Sequence, residues 1–253
     1  MARFLVCIKQ VPDSTTRVKV APDGRSILTD GVTWSISPYD EYAIELALEH
    51  KDQAPDTIVS VITVGGARTK DALRQALAMG CDDATLVAGE GLGPLGIASA
   101  LKSSVEELKP DLVLCGKQAS DDDQGFVGPA LAEALGWPHL AQITKLASAA
   151  SGFEFWKETE GGHEVWTASG AAVLTVQKSA KEPRYPSLPG IMKAKKKEIP
   201  ERSAADVGDP VKIEIVKLEP PAARGGGKIL KDGDTKAFAQ QLATLLRDEA
   251  KVL

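Results

Sequence analysis

The chain has 253 residues, 43% hydrophobic and 26% charged, which suits one large or two small folded domains and excludes disordered, collagen-like and coiled-coil chains. Its net charge of −5, from 30 basic and 35 acidic residues, argues against a general nucleic-acid coat. No run of eighteen apolar residues exists and Lys9 cuts the apolar N-terminal run short, so neither a transmembrane helix nor a signal peptide is expected.

Residues 4–11 read as the first strand, followed by a β-hairpin of 17–20 and 25–28 turning on Asp23-Gly24. Pro38 opens a helix with apolar positions 43, 44, 47 and 48 on one stripe. Strands at 57–64, 84–88 and 111–115 then alternate with helices at 69–79, 94–108 and 126–135, stopped by Gly80, Lys109-Pro110 and Gly136. Such alternation across short connections builds a parallel sheet with helices on both faces, an α/β core. After Ala141 the pattern is β, with strands at 153–156, 164–167 and 172–177. Three prolines in 183–189 make 182–190 an irregular loop, and a helical basic run follows at 191–197. A Pro-Gly-rich tether at 219–227 leads to a helix over 235–250, with Phe238, Leu242, Leu245 and Leu246 on one face.

Charge is not evenly spread, since between Lys178 and Arg202 there are eight basic and three acidic residues. Cys7, Cys81 and Cys115 sit in apolar or helical sequence without metal-ligand spacing, and His50, His139 and His163 are scattered, so neither a disulfide framework nor a metal site is expected. Gly91-Leu92-Gly93-Pro94-Leu95-Gly96 fits the dinucleotide-binding expression. However, Pro94 removes a donor and no acidic residue closes the next strand, so a plain loop is the better reading. Gly225-Gly226-Gly227-Lys228 imitates a phosphate loop without its first glycine or its Ser/Thr, and reads as tether.

The informative segment is Gly116-Lys117-Gln118-Ala119-Ser120-Asp121-Asp122-Asp123-Gln124-Gly125-Phe126-Val127-Gly128-Pro129, running from a strand end into a helix. Free amides at such a helix start attract phosphate, and ligands in open parallel sheets sit beyond the strands' carboxyl ends. Three aspartates could equally cap the helix with no ligand, or form a magnesium cage. They also repel phosphate, so at least two must turn away or meet other groups. No nucleophile, acid or base constellation is present, which leaves chemistry to a bound cofactor or partner.

Several segments in order resemble the β subunits of electron transfer flavoproteins: Val6-Cys7-Ile8-Lys9-Gln10-Val11-Pro12-Asp13, Ser37-Pro38-Tyr39-Asp40-Glu41-Tyr42-Ala43, Ala76-Leu77-Ala78-Met79-Gly80, Gly116-Lys117-Gln118-Ala119 with the Asp triplet, and Glu182 through Lys197 with its Glu-Pro-Arg-Tyr-Pro-Ser-Leu-Pro-Gly opening. The resemblance implies a Rossmann-like (adenine nucleotide α-hydrolase-like) doubly wound parallel sheet with an added β-hairpin and β region and a C-terminal tethered helix. It implies a nucleotide-binding domain at 1–218, a protruding partner loop at 182–197, and a tail at 219–253 packing on an α subunit. The α subunit would supply most of an FAD site, while the β chain holds a structural AMP. By resemblance the AMP is lined by Cys7, by Ser37, Pro38, Tyr39 and Asp40, by Val64, and by Gly116, Lys117, Gln118, Ala119, Ser120, Asp121, Asp122, Asp123, Gln124, Gly125, Phe126 and Val127. The phosphate would rest on the amides of Gly125, Phe126 and Val127.

Relatives with AMP commonly carry Asn-Gln-Thr-Gly where this chain has Gly125-Phe126-Val127-Gly128, and the Val-Gly-Pro ending looks like electron-bifurcating relatives with a second FAD. AMP is the favoured occupant. The resemblance gives Tyr185, Leu188, Pro189, Ile191, Met192, Lys193 and Lys196 a docking role toward flavin dehydrogenases such as acyl-CoA dehydrogenases, in fatty acid oxidation, with electrons passing to a quinone oxidoreductase. It places the protein in a bacterial cytoplasm or a mitochondrial matrix, as an electron carrier and not an enzyme. One rival is an ATP-cleaving enzyme of the same fold, which needs Ser-Gly-Gly-x-Asp-Ser where Val64-Gly65-Gly66-Ala67-Arg68-Thr69 stands. The other is nucleic-acid binding through the lysines, which lack interleaved aromatics.

Overall fold

The computed structural model describes residues 2–178, 181–204, 214–222, 226–227, 229–230 and 233–252. β1 (Arg3–Cys7) is buried on both faces because it lies at the centre of a sheet. Phe4 and Val6 point to one side, and Leu5 and Cys7 to the other. β4 (Ile58–Gly65), β5 (Asp83–Ala88), β6 (Leu112–Gly116) and β10 (Ala172–Val176) are likewise apolar runs without a polar face, as parallel strands covered by helices must be.

With β7 (His139–Ala149), β8 (Gly152–Thr159), β9 (Gly162–Ala168) and β11 (Glu201–Ser203), these strands form one sheet in the order β11-β5-β4-β1-β6-β10-β7-β8-β9. Pairings from β11 to β7 are parallel, and β7-β8-β9 continue antiparallel. Helices α1 (Pro38–Gln53) and α2 (Lys70–Met79) cover one face, and α3 (Pro94–Leu108) and α4 (Val127–Leu135) the other. The α/β doubly wound expectation therefore holds.

From β1 the chain moves through α1 to β4 on one side, then returns through α3 to β6 on the other. The carboxyl ends of β1 and β6 consequently face a point where the winding direction reverses, the place where open sheets of this kind leave a crevice.

Several local expectations are corrected. The strand expected at 4–11 is broken at Ile8-Lys9, and its second part, β2 (Gln10–Pro12), pairs antiparallel with the unforeseen β3 (Trp34–Ile36). The hairpin at 17–28 reduces to one bridge, Val20 with Ile27; these residues are largely exposed and have no apolar face to pair over. The helix of the basic run starts at Leu188, not Ile191: α5 (Leu188–Lys196) begins there because Ser187 Oγ accepts from the Gly190 amide and Pro189 fits the first turn.

The chain divides into two compact units, Met1–Lys217 and Leu218–Leu253. In the second unit α6 (Thr235–Thr244), capped by Asp234, passes into a π-helical turn over Leu245–Glu249, so the helix foreseen to Ala250 is not uniformly α. Tether residues 223–225 and 228, with both ends of the imitated phosphate loop, lie outside the described residues. No helix among the described residues is long and apolar enough to cross a membrane.

Candidate nucleotide-binding cleft

At the reversal point lies a cleft with a free volume of about 170 Å³. Cys7, Ile62 and Cys115 are its floor, supplied by β1, β4 and β6. Pro94, Ile97 and Leu101 of α3 form an apolar wall, and the loop from Gly116 to Val127 closes the other side. The loop with the dinucleotide-like glycines thus leads into a wall residue, Pro94, which offers no amide.

Asp40 holds the two halves together. Its Oδ2 accepts from the Lys9 amide at 2.7 Å and its Oδ1 from the Gly116 amide at 2.8 Å, joining the ends of β1 and β6 to the first turn of α1. A Cβ on Gly116 would lie 2.4 Å from Asp40 Oδ1 and 2.8 Å from the Asp40 nitrogen, so glycine is required there by close approach. Burial pushes the Asp40 carboxyl up to about 7, against the lowering influence of its two amide donors and of Lys9.

The charge of the three adjacent aspartates is partly offset locally, with one ammonium against three carboxylates. Lys9 Nζ donates to Asp121 Oδ1 at 2.7 Å and to Asp122 Oδ2 at 2.8 Å, and Gln118 Nε2 donates to Asp123 Oδ1 at 2.7 Å. Burial alone would depress the Lys9 ammonium, but the two carboxylates outweigh it and hold the pKa above its ordinary value. None of the aspartates makes a side-chain cap of α4; Asp122 Oδ1 instead accepts from the Gln124 amide just before the helix, at 3.3 Å. Asp123 and Gly125 adopt left-handed backbone, with φ of 51° and 58°. Among the described residues, the amides of Gly125, Phe126 and Val127 meet no acceptor and open the helix. Those donors fit an anionic group such as an adenylate phosphate, with Lys9 offsetting part of the charge of Asp121 and Asp122.

Cys7 and Cys115 are neighbours in register across β1 and β6. The neighbouring Cys115 thiol, and then burial, push the Cys7 thiol well above its ordinary pKa, which disfavours the thiolate on the floor of the cleft. Glu90 Oε1 would lie only 1.8 Å from a Cβ on Gly66, which puts a carboxylate where an ATP-cleaving enzyme would bind pyrophosphate. No three His, Cys, Asp or Glu side chains among the described residues gather as metal ligands.

Of the residues anticipated from sequence, the cleft brings together Cys7, Asp40, Val64, Gly116, Gln118, Ala119, Asp122, Gln124, Gly125, Phe126 and Val127. Ser37, Pro38, Tyr39, Lys117, Ser120, Asp121 and Asp123 do not line it. Ser37 is buried at the start of α1 with its hydroxyl unpartnered, and Tyr39 lies under the Lys117 ammonium, 5.9 Å from its ring centre. Lys9, Thr63, Cys115 and the α3 wall were not anticipated. Lys9 was missed because residues 4–11 read as one strand, whereas β1 ends at Cys7 and leaves Lys9 at its carboxyl end.

The second cluster of anticipated residues is on the surface. Tyr185, Leu188 and Met192 are 93%, 81% and 60% exposed, beside the exposed Lys193 and Lys196 on α5. Pro189 is exposed as well, whereas Ile191 is half-buried and packs against the core.

Residues 25–207 match the electron transfer flavoprotein domain. The chain belongs to the electron transfer flavoprotein family. A protein of Bradyrhizobium diazoefficiens named electron transfer flavoprotein subunit beta is 39% identical over 99% of this chain and 100% of its own length. Proteins of the same name from Bacillus subtilis and Homo sapiens are 39% and 36% identical, over 94% and 89% of this chain and 95% and 91% of their own lengths.

Proposed function

We propose that this chain is the β subunit of a heterodimeric electron transfer flavoprotein. An α subunit completes an FAD site, and the β chain holds AMP in the cleft between β1 and β6. FAD supplies the redox chemistry when bound. The chain's own residues bind and position: the amides of Gly125, Phe126 and Val127 face the phosphate, Lys9 screens Asp121 and Asp122, and Asp40 fixes the strand ends. The unpaired amides above a switch-point crevice, in a chain of this family, carry the reading.

The exposed Tyr185, Leu188 and Met192, beside lysines, dock a flavin dehydrogenase such as an acyl-CoA dehydrogenase. Apolar side chains supply contact, and the local positive charge steers an acidic partner. Electrons then pass to a quinone oxidoreductase, in the bacterial cytoplasm or the mitochondrial matrix.

The test is acid release of ligands from the copurified heterodimer, followed by chromatography. One FAD and one AMP per heterodimer is the expected result. Two FAD would replace the AMP reading with a bifurcating flavoprotein, a reading favoured by Phe126 and Val127 standing where polar side chains are usual. Turnover of ATP by the isolated chain would overturn the proposal.

A further inference from the structure

Helix α1 turns four polar side chains toward the base of the docking loop. Tyr42, Glu45, Glu49 and Asp52 are spaced by three, four and three residues, so they share one helix face. Each meets a partner within residues 181–184. The Tyr42 hydroxyl donates to Glu182 Oε2 at 2.6 Å. Glu45 accepts from Arg184 three times, from Nε at 2.8 Å, Nη2 at 3.0 Å and the backbone amide at 2.9 Å. Lys181 Nζ adds contacts of 3.1 Å to Glu45 and 3.2 Å to Glu49, and Arg184 Nη2 reaches Asp52 at 2.7 Å.

The Glu45 side chain is 0% exposed. Burial would push its carboxyl up, yet Arg184 and Lys181 outweigh burial and hold it below the ordinary value. A wholly buried carboxylate with every oxygen committed to a guanidinium fork is an uncommon device for mere stability, since an apolar pair of equal volume often serves as well.

Immediately after Arg184 the chain enters a short loop that exposes Tyr185 and leads to the exposed Leu188 at the start of α5. Its far end is braced too. Gly190 abuts the Ala78 carbonyl so closely that a Cβ would lie 2.4 Å from it, and Arg74 Nη1 donates to the Ala194 carbonyl at 2.8 Å. Apolar side chains left in water on a slack loop would sample many positions, and binding would then have to order them.

We propose that Glu45, acting through Arg184, is a positioning residue for the docking loop. It fixes residues 185–192 in the binding conformation before the dehydrogenase arrives. This rests on the docking reading above.

The test compares Glu45→Gln, Arg184→Lys and Leu188→Ala in the purified heterodimer, with an acyl-CoA dehydrogenase reduced by its acyl-CoA as electron donor. Glu45→Gln and Arg184→Lys are expected to raise KM for the flavoprotein about tenfold with kcat within about twofold, the loss expected when a few side chains must be ordered at binding. Amide exchange over residues 185–192 should accelerate in both, while FAD content and reduction by dithionite stay unchanged. In the Leu188→Ala background, Glu45→Gln should add little further, because both act on one step. An unchanged KM in Glu45→Gln and Arg184→Lys, with Leu188→Ala impaired, overturns the positioning role alone. An unchanged KM in Leu188→Ala overturns the docking reading itself. Should Glu45→Gln fail to assemble, Arg184→Lys carries the same comparison, since it keeps the charge and loses the fork.

Discussion

Asp40→Asn tests the electrostatic centre of the cleft. The Asp40 carboxyl is buried and titrates at about 7 instead of its ordinary 3.8, so the folded chain favours the protonated form. Between about pH 4 and pH 7 the native state then binds more protons than the unfolded one, and the contribution of this group to stability falls as pH rises through that window. A displacement of this size corresponds to roughly 4 kcal/mol when complete, and roughly 3 kcal/mol of it is lost between about pH 5 and pH 8. Asn cannot ionise, and it keeps one carbonyl oxygen for the two amides of Lys9 and Gly116, which adds a pH-independent loss of about 1–3 kcal/mol. Urea unfolding of both proteins across this pH range gives the difference in stability at each pH. Burial also lowers the pKa of His50 and His139, but their contributions cancel in that difference. The advantage of the wild type should shrink by roughly 3 kcal/mol from about pH 5 to pH 8. A flat difference would refute the claim that Asp40 is a desolvated carboxylate.

Gly116→Ala drives a Cβ to within 2.4 Å of Asp40 Oδ1 and should cost about 3 kcal/mol or prevent folding, read as a lowered Tm. A neutral substitution would mean that β6 and α1 can separate freely. Lys9→Gln should change stability by less than about 1 kcal/mol, since its ion pairs are partly exposed. It should nevertheless weaken retention of AMP severalfold in equilibrium dialysis, because Asp122 in the cleft and Asp121 beside it then lose their counter-charge; equal retention would show that their charge does not reach the site.

The layered fold was legible because its signals are local. Apolar runs flanked by glycine and proline gave β4, β5 and β6, and apolar stripes gave α1 to α4. The edges were not legible. β11 has three residues, and β3 is recognisable only by its pairing with β2, a contact between distant segments. β7 was lost for a different reason: Thr144, Lys145 and Ser148 interrupt its apolar pattern, because half of it forms the start of an antiparallel ribbon. In the cleft, the loop from Gly116 to Val127 could be found from its place after a strand. The bridge from Asp40 to two strand ends could not, since its partners lie 31 and 76 residues away.

The same distances bear on what the cleft can do. The charged groups of the cleft are already committed to protein, Asp40 to two amides and Lys9 to Asp121 and Asp122, while Cys7 is buried beside Cys115. A general base needs a free lone pair aimed at substrate, and a nucleophile needs a depressed pKa, whereas here Asp40 is occupied and Cys7 is raised. The groups left uncommitted are backbone amides at the start of α4, which can hold an anion but cannot exchange protons with it at neutral pH. A cleft so constructed suits a nucleotide that is kept and not converted. That fits the function proposed above, in which the chain holds cofactors and presents a docking loop, with one helix, α1, bracing both: Asp40 in its first turn ties the cleft, and Glu45 five residues on ties Arg184.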